Sequence, residues 1–110
     1  GKPLSLFQNT RFELADVKTK IELSRALVDK CIDKYIDGTL TNEEASMVKL
    51  ASSEMQGESV DRCLQLFGGY GYMKEYPIAR AYVDARVQRI YGGSSEVMKE
   101  LIARSLVGKQ

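Results

Sequence analysis

The residues best suited to chemistry in this sequence surround two pairs of adjacent glycines. In the segment GGSSE, Gly92 and Gly93 precede two serines and a glutamate, where the pattern predicts the start of a helix. Glycine lets the backbone approach a ligand closely, and the first N–H groups of a helix are unpaired and partly positive. This segment can therefore hold a phosphate group or a carbonyl oxygen. The alternative is that the glycines only turn the chain and Ser94 only caps the helix.

The second pair of glycines lies in the segment QLFGGYGY, after a long predicted helix. Here too bare backbone can approach a ligand, and tyrosines can line an apolar pocket. The tyrosines near the two glycine pairs are Tyr70, Tyr72, Tyr76 and Tyr91. A helix that ends at Gly68 with aromatic side chains packed beneath it is an equally good interpretation. No predicted strand precedes either pair, so the glycine spacing is weak support for a nucleotide-binding fingerprint.

Composition excludes several kinds of chemistry. The 110 residues include no histidine, which removes imidazole metal ligands, a Ser-His-Asp triad and a histidine general base. Cys31 and Cys63 are isolated in the sequence, so we expect small buried side chains there and predict no metal site. No two carboxylates have a spacing typical of an acid–base pair, and Glu96 favours a helix N-terminus whatever its function.

The charge pattern gives no indication of a nucleic-acid or membrane partner. There are 16 basic and 15 acidic residues, which leaves a net charge of +1 spread along the chain. No basic stripe is present, and no stretch reaches the roughly 20 apolar residues of a membrane span. The first residues, GKPLSLFQ, have neither the apolar core of a signal peptide nor an initiator methionine. We therefore expect an intracellular protein whose first residue is the result of a cut.

Helices must position these segments, because apolar residues recur at helical spacing through most of the chain. A stripe over residues 7–36 predicts a long helix that ends at Gly38. A capping box from Thr41 to Glu44 predicts the start of a second, over residues 42–67. A third helix is expected from Pro77 to about residue 87. A fourth begins at Ser94 or the next residue and ends near residue 107.

The predicted fold is an all-α antiparallel helical bundle with two long helices and two shorter ones, resembling an incomplete four-helix bundle. The inner stripe expected on the first helix comprises Leu14, Val17, Ile21, Val28, Cys31, Ile32 and Tyr35. Ser52 and Ser59 on the second helix are small enough to let the helices approach closely. Two helices cannot bury such wide stripes against each other alone, so we expect a further helix or another subunit to cover them.

Two stretches of the chain resemble a known family. The stretch CLQLFGGYGYMKEYPIARAYVDARVQRIYGGSSEVMKELIARSL, residues 63–106, resembles the C-terminal helical domain of the acyl-CoA dehydrogenases, and above all their long-chain-type branch. The upstream stretch GKPLSLFQNTRFELADVKTKIELSRALVD resembles the segment after the family's Arg-x-x-Phe-Gly motif. The resemblance implies one domain over residues 1–110. In the full-length protein it would follow a further helix, an N-terminal helical domain and a middle β-domain.

The resemblance implies an FAD-dependent enzyme that oxidises the Cα–Cβ bond of an acyl-CoA thioester. In this family a glutamate removes the α-proton, the β-hydrogen leaves as hydride to the flavin, and an electron-transferring flavoprotein takes the electrons. At the position that matches Gly92, a backbone N–H and a flavin ribityl hydroxyl donate to the thioester carbonyl. The expected partners are acyl-CoA, the electron-transferring flavoprotein and further copies of the chain in a dimer or tetramer.

Further residues match cofactor contacts of the family. Phe7 and Gln8 match a flavin-contact pair. Ser94 and Glu96, with Ser95 between them, match a Thr-x-Gln or Thr-x-Glu element that meets FAD around its pyrophosphate and adenosine. A Q-x-F-G-G motif, which contacts the adenosine part of a neighbouring subunit's FAD, is matched by Gln65, Leu66, Phe67, Gly68 and Gly69.

Two departures from the commoner family pattern favour the long-chain-type branch. Many members carry the catalytic glutamate where Gly92 stands, whereas the long-chain and isovaleryl-type branches carry it on the preceding helix, before Gly1. Val83 replaces an arginine of the common Arg-Asp-x-Arg pattern, while Asp84 and Arg86 are kept. We therefore expect residues 1–110 alone to bind no acyl-CoA productively and to be inactive.

Two other functions fit the same sequence. A non-catalytic helical interaction module would use the glycine segments only to turn the chain. An acyl-CoA oxidase or a nitroalkane-oxidising relative would pass electrons to oxygen instead. We expect the bacterial cytoplasm as the compartment, with the mitochondrial matrix as the alternative, and the sequence does not predict the acyl chain length.

Overall fold

The computed structural model describes residues 1–109, and these residues form helices and connecting turns without a strand. The four α-helices are α1 (Gln8–Ile36), α2 (Asn42–Phe67), α3 (Pro77–Arg86) and α4 (Ser95–Val107). Short 3₁₀ segments lie at Leu4–Leu6, Gly68–Tyr72 and Val87–Arg89. The all-α class and the order of long and short helices are confirmed. The sequence missed only the 3₁₀ turns, of which the second replaces the loop expected after α2.

The turn between α1 and α2 forms as its residue types predict. Gly38 has a φ of 72°, the left-handed conformation that favours glycine after a helix. The hydroxyl of Thr41 accepts from the N–H of Glu44, and the Glu44 carboxylate accepts from the N–H of Thr41, which completes the capping box. Lys34 at the end of α1 donates to the same carboxylate at 2.5 Å. These bonds lower the pKa of Glu44 to about 2, with the lysine as the largest cause.

Helix α2 is the centre of the molecule, because α1, α3 and α4 each pack against it. Ion pairs show that α1 and α2 are antiparallel: Arg62, near the end of α2, donates to Glu13 at 2.6 Å, whereas Lys34 reaches the start of α2. The hydrogen bond from Arg62 also lowers the pKa of Glu13. The described chain is elongated, with extents of 56 × 26 × 23 Å.

The buried residues of the two long helices are mostly small, whereas most of their large apolar side chains are not buried. On α1 the buried positions recur every seven residues, at Thr10, Val17, Ser24 and Cys31. On α2 the buried positions are Ser46, Ser53 and Ser59. The hydroxyls of Ser46 and Ser53 donate to carbonyls one turn earlier, at 2.8 and 2.7 Å, so these serines are buried with their polar groups paired.

The inner stripe predicted for α1 is therefore only partly correct. Val17 and Cys31 are buried as expected and Val28 is half-buried, but the other four residues are exposed, up to 76% for Tyr35. The exposed members are Leu14, Ile21, Ile32 and Tyr35. Because α2 is the helix packed against α1, only the narrow stripe that recurs every seven residues on α1 is covered. The bulky flanking side chains have no helix opposite them within residues 1–109.

The connection from α2 to α3 is tight and aromatic. Gly68 ends α2 with a φ of 62°, and a side chain at Gly71 would lie 2.6 Å from the Leu64 carbonyl oxygen. The ring centroids of Tyr70 and Tyr76 are 5.4 Å apart. The predicted grouping of tyrosines is thus correct for this pair, whereas Tyr72 is 88% exposed.

Candidate functional site

The loop between α3 and α4 presents a stretch of open backbone. The N–H groups of Ile90 and Tyr91 both donate to the carbonyl of Val87, and this turn leads into two glycines with positive φ, 63° at Gly92 and 100° at Gly93. A β-carbon at Gly92 would meet no atom within 4 Å, so one side of its backbone is open to a ligand. A β-carbon at Gly93 would lie 2.4 Å from the methyl of Met98, so glycine is required there for packing as well.

Helix α4 begins directly after the glycines with a capping serine. The hydroxyl of Ser94 accepts from the N–H of Val97 at 3.2 Å, so the capping interpretation of this serine is confirmed. The N–H groups of Gly92 and Ser94 have no hydrogen-bond acceptor among the residues described. The roles of these residues toward a cofactor or a thioester stay predictions.

A lysine that sequence reasoning did not identify holds this loop in place. The ammonium group of Lys49, on α2, donates to three backbone carbonyls: Gln88 at 2.7 Å, Tyr91 at 3.2 Å and Gly93 at 2.6 Å. The signal in the sequence was a charged residue between Val48 and Leu50 on a helix whose neighbouring positions are apolar. That signal is weak, because lysines on helices are usually solvated.

A carboxylate on α2 binds the other side of the loop. Ser95 is buried and donates its hydroxyl to Glu54 at 2.6 Å, while the second oxygen of Glu54 lies 3.6 Å from Arg89. Gly57 makes room for this arginine, because a β-carbon there would lie 3.2 Å from its Nε atom. A pocket of about 270 Å³ opens at this point, and Glu96 lines its edge. The start of α4 is thus tied to α2.

The second glycine pair offers a similar open backbone at the far end of α2. Gln65, Phe67, Gly68 and Gly69 are exposed and Leu66 is half-buried. A β-carbon at either glycine would meet nothing within 4 Å. Phe7, the N-cap of α1, and Gln8 are also exposed. They lie at the same end of the molecule, since the start of α1 pairs with the end of α2 through Arg62.

The predicted site residues therefore form two groups, one beside the end of α2 and one beside its first half. One group comprises Phe7, Gln8 and residues 65–69, and the other comprises Gly92, Ser94, Ser95 and Glu96. Lys49 and Glu54, which hold the loop and helix start of the second group, lie 19 and 14 positions before Gly68 in the first. At 1.5 Å per residue these separations are about 28 and about 21 Å along the helix axis. A single chain does not bring the two groups together.

No cluster of three or more potential metal ligands is found within residues 1–109. None of the helices in this part of the chain is both long and apolar enough to cross a membrane.

The four-helix fold is that of the C-terminal domain of a known enzyme family. The profile of the family "Acyl-CoA dehydrogenase, C-terminal domain" matches residues 1–107, and the chain belongs to the acyl-CoA dehydrogenase family. It is 51% identical over 107 residues to the mitochondrial long-chain specific acyl-CoA dehydrogenase of Rattus norvegicus, which covers 97% of this chain and 25% of the relative. The chain thus spans about a quarter of the length of such relatives.

Solved structures and a bacterial relative agree with this assignment. A crystal structure of acyl-CoA dehydrogenase from Geobacillus kaustophilus matches this chain with a TM-score of 0.94 and 45% identity. The match covers 97% of this chain and 28% of the Geobacillus kaustophilus chain. The FAD complex of PigA matches with a TM-score of 0.91 and 28% identity, and the match covers the whole of this chain and 29% of the PigA chain. The chain also aligns with a subunit of the caffeyl-CoA reductase–Etf complex of Acetobacterium woodii.

That alignment with the Acetobacterium woodii subunit spans 109 residues, at 38% identity, and covers 99% of this chain and 29% of the relative. Relatives of the chain thus include mitochondrial and bacterial proteins.

Proposed function

We propose that this chain works as the C-terminal helical domain of an FAD-dependent acyl-CoA dehydrogenase, which oxidises the Cα–Cβ bond of an acyl-CoA thioester. Family membership supports this proposal, as do the names of the relatives. The proposed domain covers residues 1–110, and an N-terminal helical domain, a middle β-domain and a further helix would complete the enzyme.

The observation that carries the proposal is the backbone at Gly92. Its N–H has no acceptor among the described residues, and no atom would obstruct even a β-carbon on that residue. A fixed N–H donor that meets a carbonyl oxygen stabilises the negative charge that develops there when the α-proton is removed. We assign this role to the N–H of Gly92, toward the thioester oxygen.

The residues present fit FAD as a cofactor divided between two subunits. When bound, the flavin accepts the hydride that leaves the β-carbon. Ser94, Ser95 and Glu96 would hold FAD at the start of α4, next to the proposed thioester donor. Phe7 and Gln8 would contact the flavin, and residues 65–69 would hold the adenosine part of a neighbouring subunit's FAD. The separation of residues 65–69 from the first group, about 21 to 28 Å along α2, supports this division.

The base that removes the α-proton is not expected within this domain. Gly92 has no side chain, and Glu54 accepts from Ser95 and faces Arg89. Both oxygens of this carboxylate thus already face groups of the protein. We therefore assign the base to a glutamate on the helix that precedes residue 1 in the proposed enzyme.

The partners proposed for the whole enzyme follow from the same reasoning. They are acyl-CoA, an electron-transferring flavoprotein and further copies of the chain in a dimer or tetramer. The Etf complex that contains the Acetobacterium woodii relative supports the second partner. A bacterial cytoplasm is proposed as the compartment, with the mitochondrial matrix as the alternative.

The test uses the full-length protein and compares matched variants. We expect Ser94→Ala and Gln65→Ala each to raise the Kd for FAD about fivefold to tenfold, which corresponds to the loss of one hydrogen bond. The controls Ser105→Ala on α4 and Gln56→Ala on α2 remove the same groups from exposed positions and should leave the Kd unchanged. Flavin fluorescence measures binding.

Three outcomes would contradict the proposal. A full-length protein that binds no FAD would indicate a non-catalytic helical module. Rapid oxygen consumption with acyl-CoA, in place of dye reduction, would indicate an oxidase. Turnover by residues 1–110 alone would place the missing base within this domain.

A further inference from the structure

We propose that Lys49 is a positioning residue that orients the peptide units on either side of Gly92 and Gly93, so that their N–H groups face the proposed thioester and cofactor. The inference rests on the function proposed above. It gives a role to a residue of α2 that would touch neither ligand. Its basis is the set of three carbonyl oxygens around one ammonium group.

The geometry of the peptide bond carries the first step. In a planar trans peptide the C=O and the following N–H point in opposite directions. The carbonyl of Tyr91 belongs to the same peptide unit as the N–H of Gly92, and the carbonyl of Gly93 to the same unit as the N–H of Ser94. Lys49 draws both carbonyls toward α2, at 3.2 and 2.6 Å. The two N–H groups therefore point away from α2.

The second step concerns the freedom of the glycine backbone. Gly92 and Gly93 both have positive φ and no side chain, so the peptide units around them can rotate unless hydrogen bonds hold them. Only the turn at Val87 and the ammonium of Lys49 bind the carbonyl side of this loop among the residues described. An ammonium group is suited to this task, because it carries three donors and a full charge.

The charge adds to the effect of orientation. A cation bound to a carbonyl oxygen polarises the whole peptide unit, which makes its N–H a stronger donor. Lys49 thus prepares the N–H of Gly92 before any ligand binds. Such preparation lowers the cost of orienting the donor in the transition state.

The experiment replaces Lys49 with methionine in the full-length protein, with Lys49→Arg as the conservative variant. The control is Lys18→Met, on the exposed face of α1. We expect Lys49→Met to lower kcat about tenfold to a hundredfold, less than the loss of a whole oxyanion donor, with KM and the Kd for FAD within threefold. Lys49→Arg should recover part of kcat, and Lys18→Met should behave as the wild type.

Two further measurements separate orientation from a general structural effect. The infrared carbonyl stretch of a ¹³C-labelled thioester should shift less on binding to Lys49→Met than to the wild type. Without any ligand, the N–H groups of Ile90 and Tyr91 should exchange with deuterium about tenfold faster in this variant, while the central turns of α2 keep their exchange rates.

The outcomes distinguish this inference from the proposed function. Unchanged loop exchange and an unchanged carbonyl shift in Lys49→Met would overturn it. The inference would also be overturned if every helix of Lys49→Met and Lys49→Arg lost protection from deuterium exchange to the same extent, because Lys49 would then only stabilise the fold. A wild-type protein that binds no thioester would overturn the proposed function, and the ligand-free exchange would still decide whether Lys49 holds the loop.

Discussion

At the residue scale, two adjacent glycines in one loop have different reasons to be glycine. Both have positive φ, but only Gly93 is also enclosed, with the methyl of Met98 where its β-carbon would be. Gly92 faces open space. The pattern GG in the sequence predicts the turn, whereas the difference between its two members depends on Met98, five residues after Gly93.

This difference predicts unequal effects of alanine at the two positions. Gly92→Ala should cost about 1–2 kcal/mol of stability, from its φ alone. Gly93→Ala should cost more, because the same strain is joined by the displacement of Met98 from the core. Chemical denaturation of the two variants measures the difference. Equal losses, or a larger loss for Gly92→Ala, would contradict the packing described for Gly93.

At the element scale, the termini of the helices were predictable and their buried faces were not. The capping box at Thr41, the glycine at position 38 and the proline at position 77 act within one turn of the chain, so the sequence shows the partners together. The seam between α1 and α2 depends on which residues meet across the helices. Apolar size favoured Ile21 and Tyr35, whereas the structure buries Ser24 and leaves these two residues exposed.

The candidate site divides in the same way. The open glycines and the capping serine could be recognised in the sequence, because each acts through its own backbone or that of residues close to it in the chain. Lys49 was not, because the carbonyls it binds lie 39 to 44 residues further along the chain. Glu54 was missed for the same reason, since its contact with Ser95 spans 41 residues.

The capping box predicts how stability depends on pH. The folded-state pKa of Glu44 is about 2, against an ordinary value of 4.5, so its contribution is complete above pH 4.5 and is lost as the pH falls toward 2. Glu44→Gln should therefore lower the melting temperature at pH 7 and have progressively less effect below pH 4.5. The control is Glu43→Gln, one residue away. A Glu44→Gln effect that grows on acidification would contradict the assignment.

At the scale of the whole molecule, elongation and exposed apolar surface belong together. The radius of gyration is 17.0 Å, against roughly 13 Å for a compact domain of about 100 residues. Within residues 1–109 no large side chain is fully buried, and Leu23, Ile36 and Val107 are each more than two-thirds exposed. Surface of this kind usually marks contact with other protein.

We therefore expect residues 1–110 to self-associate in solution. Burial of the exposed apolar side chains is favourable, and a second copy offers the same surface. Light scattering over a range of concentrations measures the molecular mass. Ile21→Lys together with Ile32→Lys should shift the protein toward the monomer, whereas Lys30→Glu, at an exposed polar position, should not. A wild-type chain that is monomeric at every concentration would contradict the expectation.

The central position of α2 also determines the order in which the molecule can be assembled during translation. Each later helix emerges from the ribosome when the helix it packs on has already been made. Lys49 is synthesised 44 residues before the Gly93 carbonyl that it binds. The loop around Gly92 thus acquires its shape only after α2, the scaffold that holds it, has been synthesised.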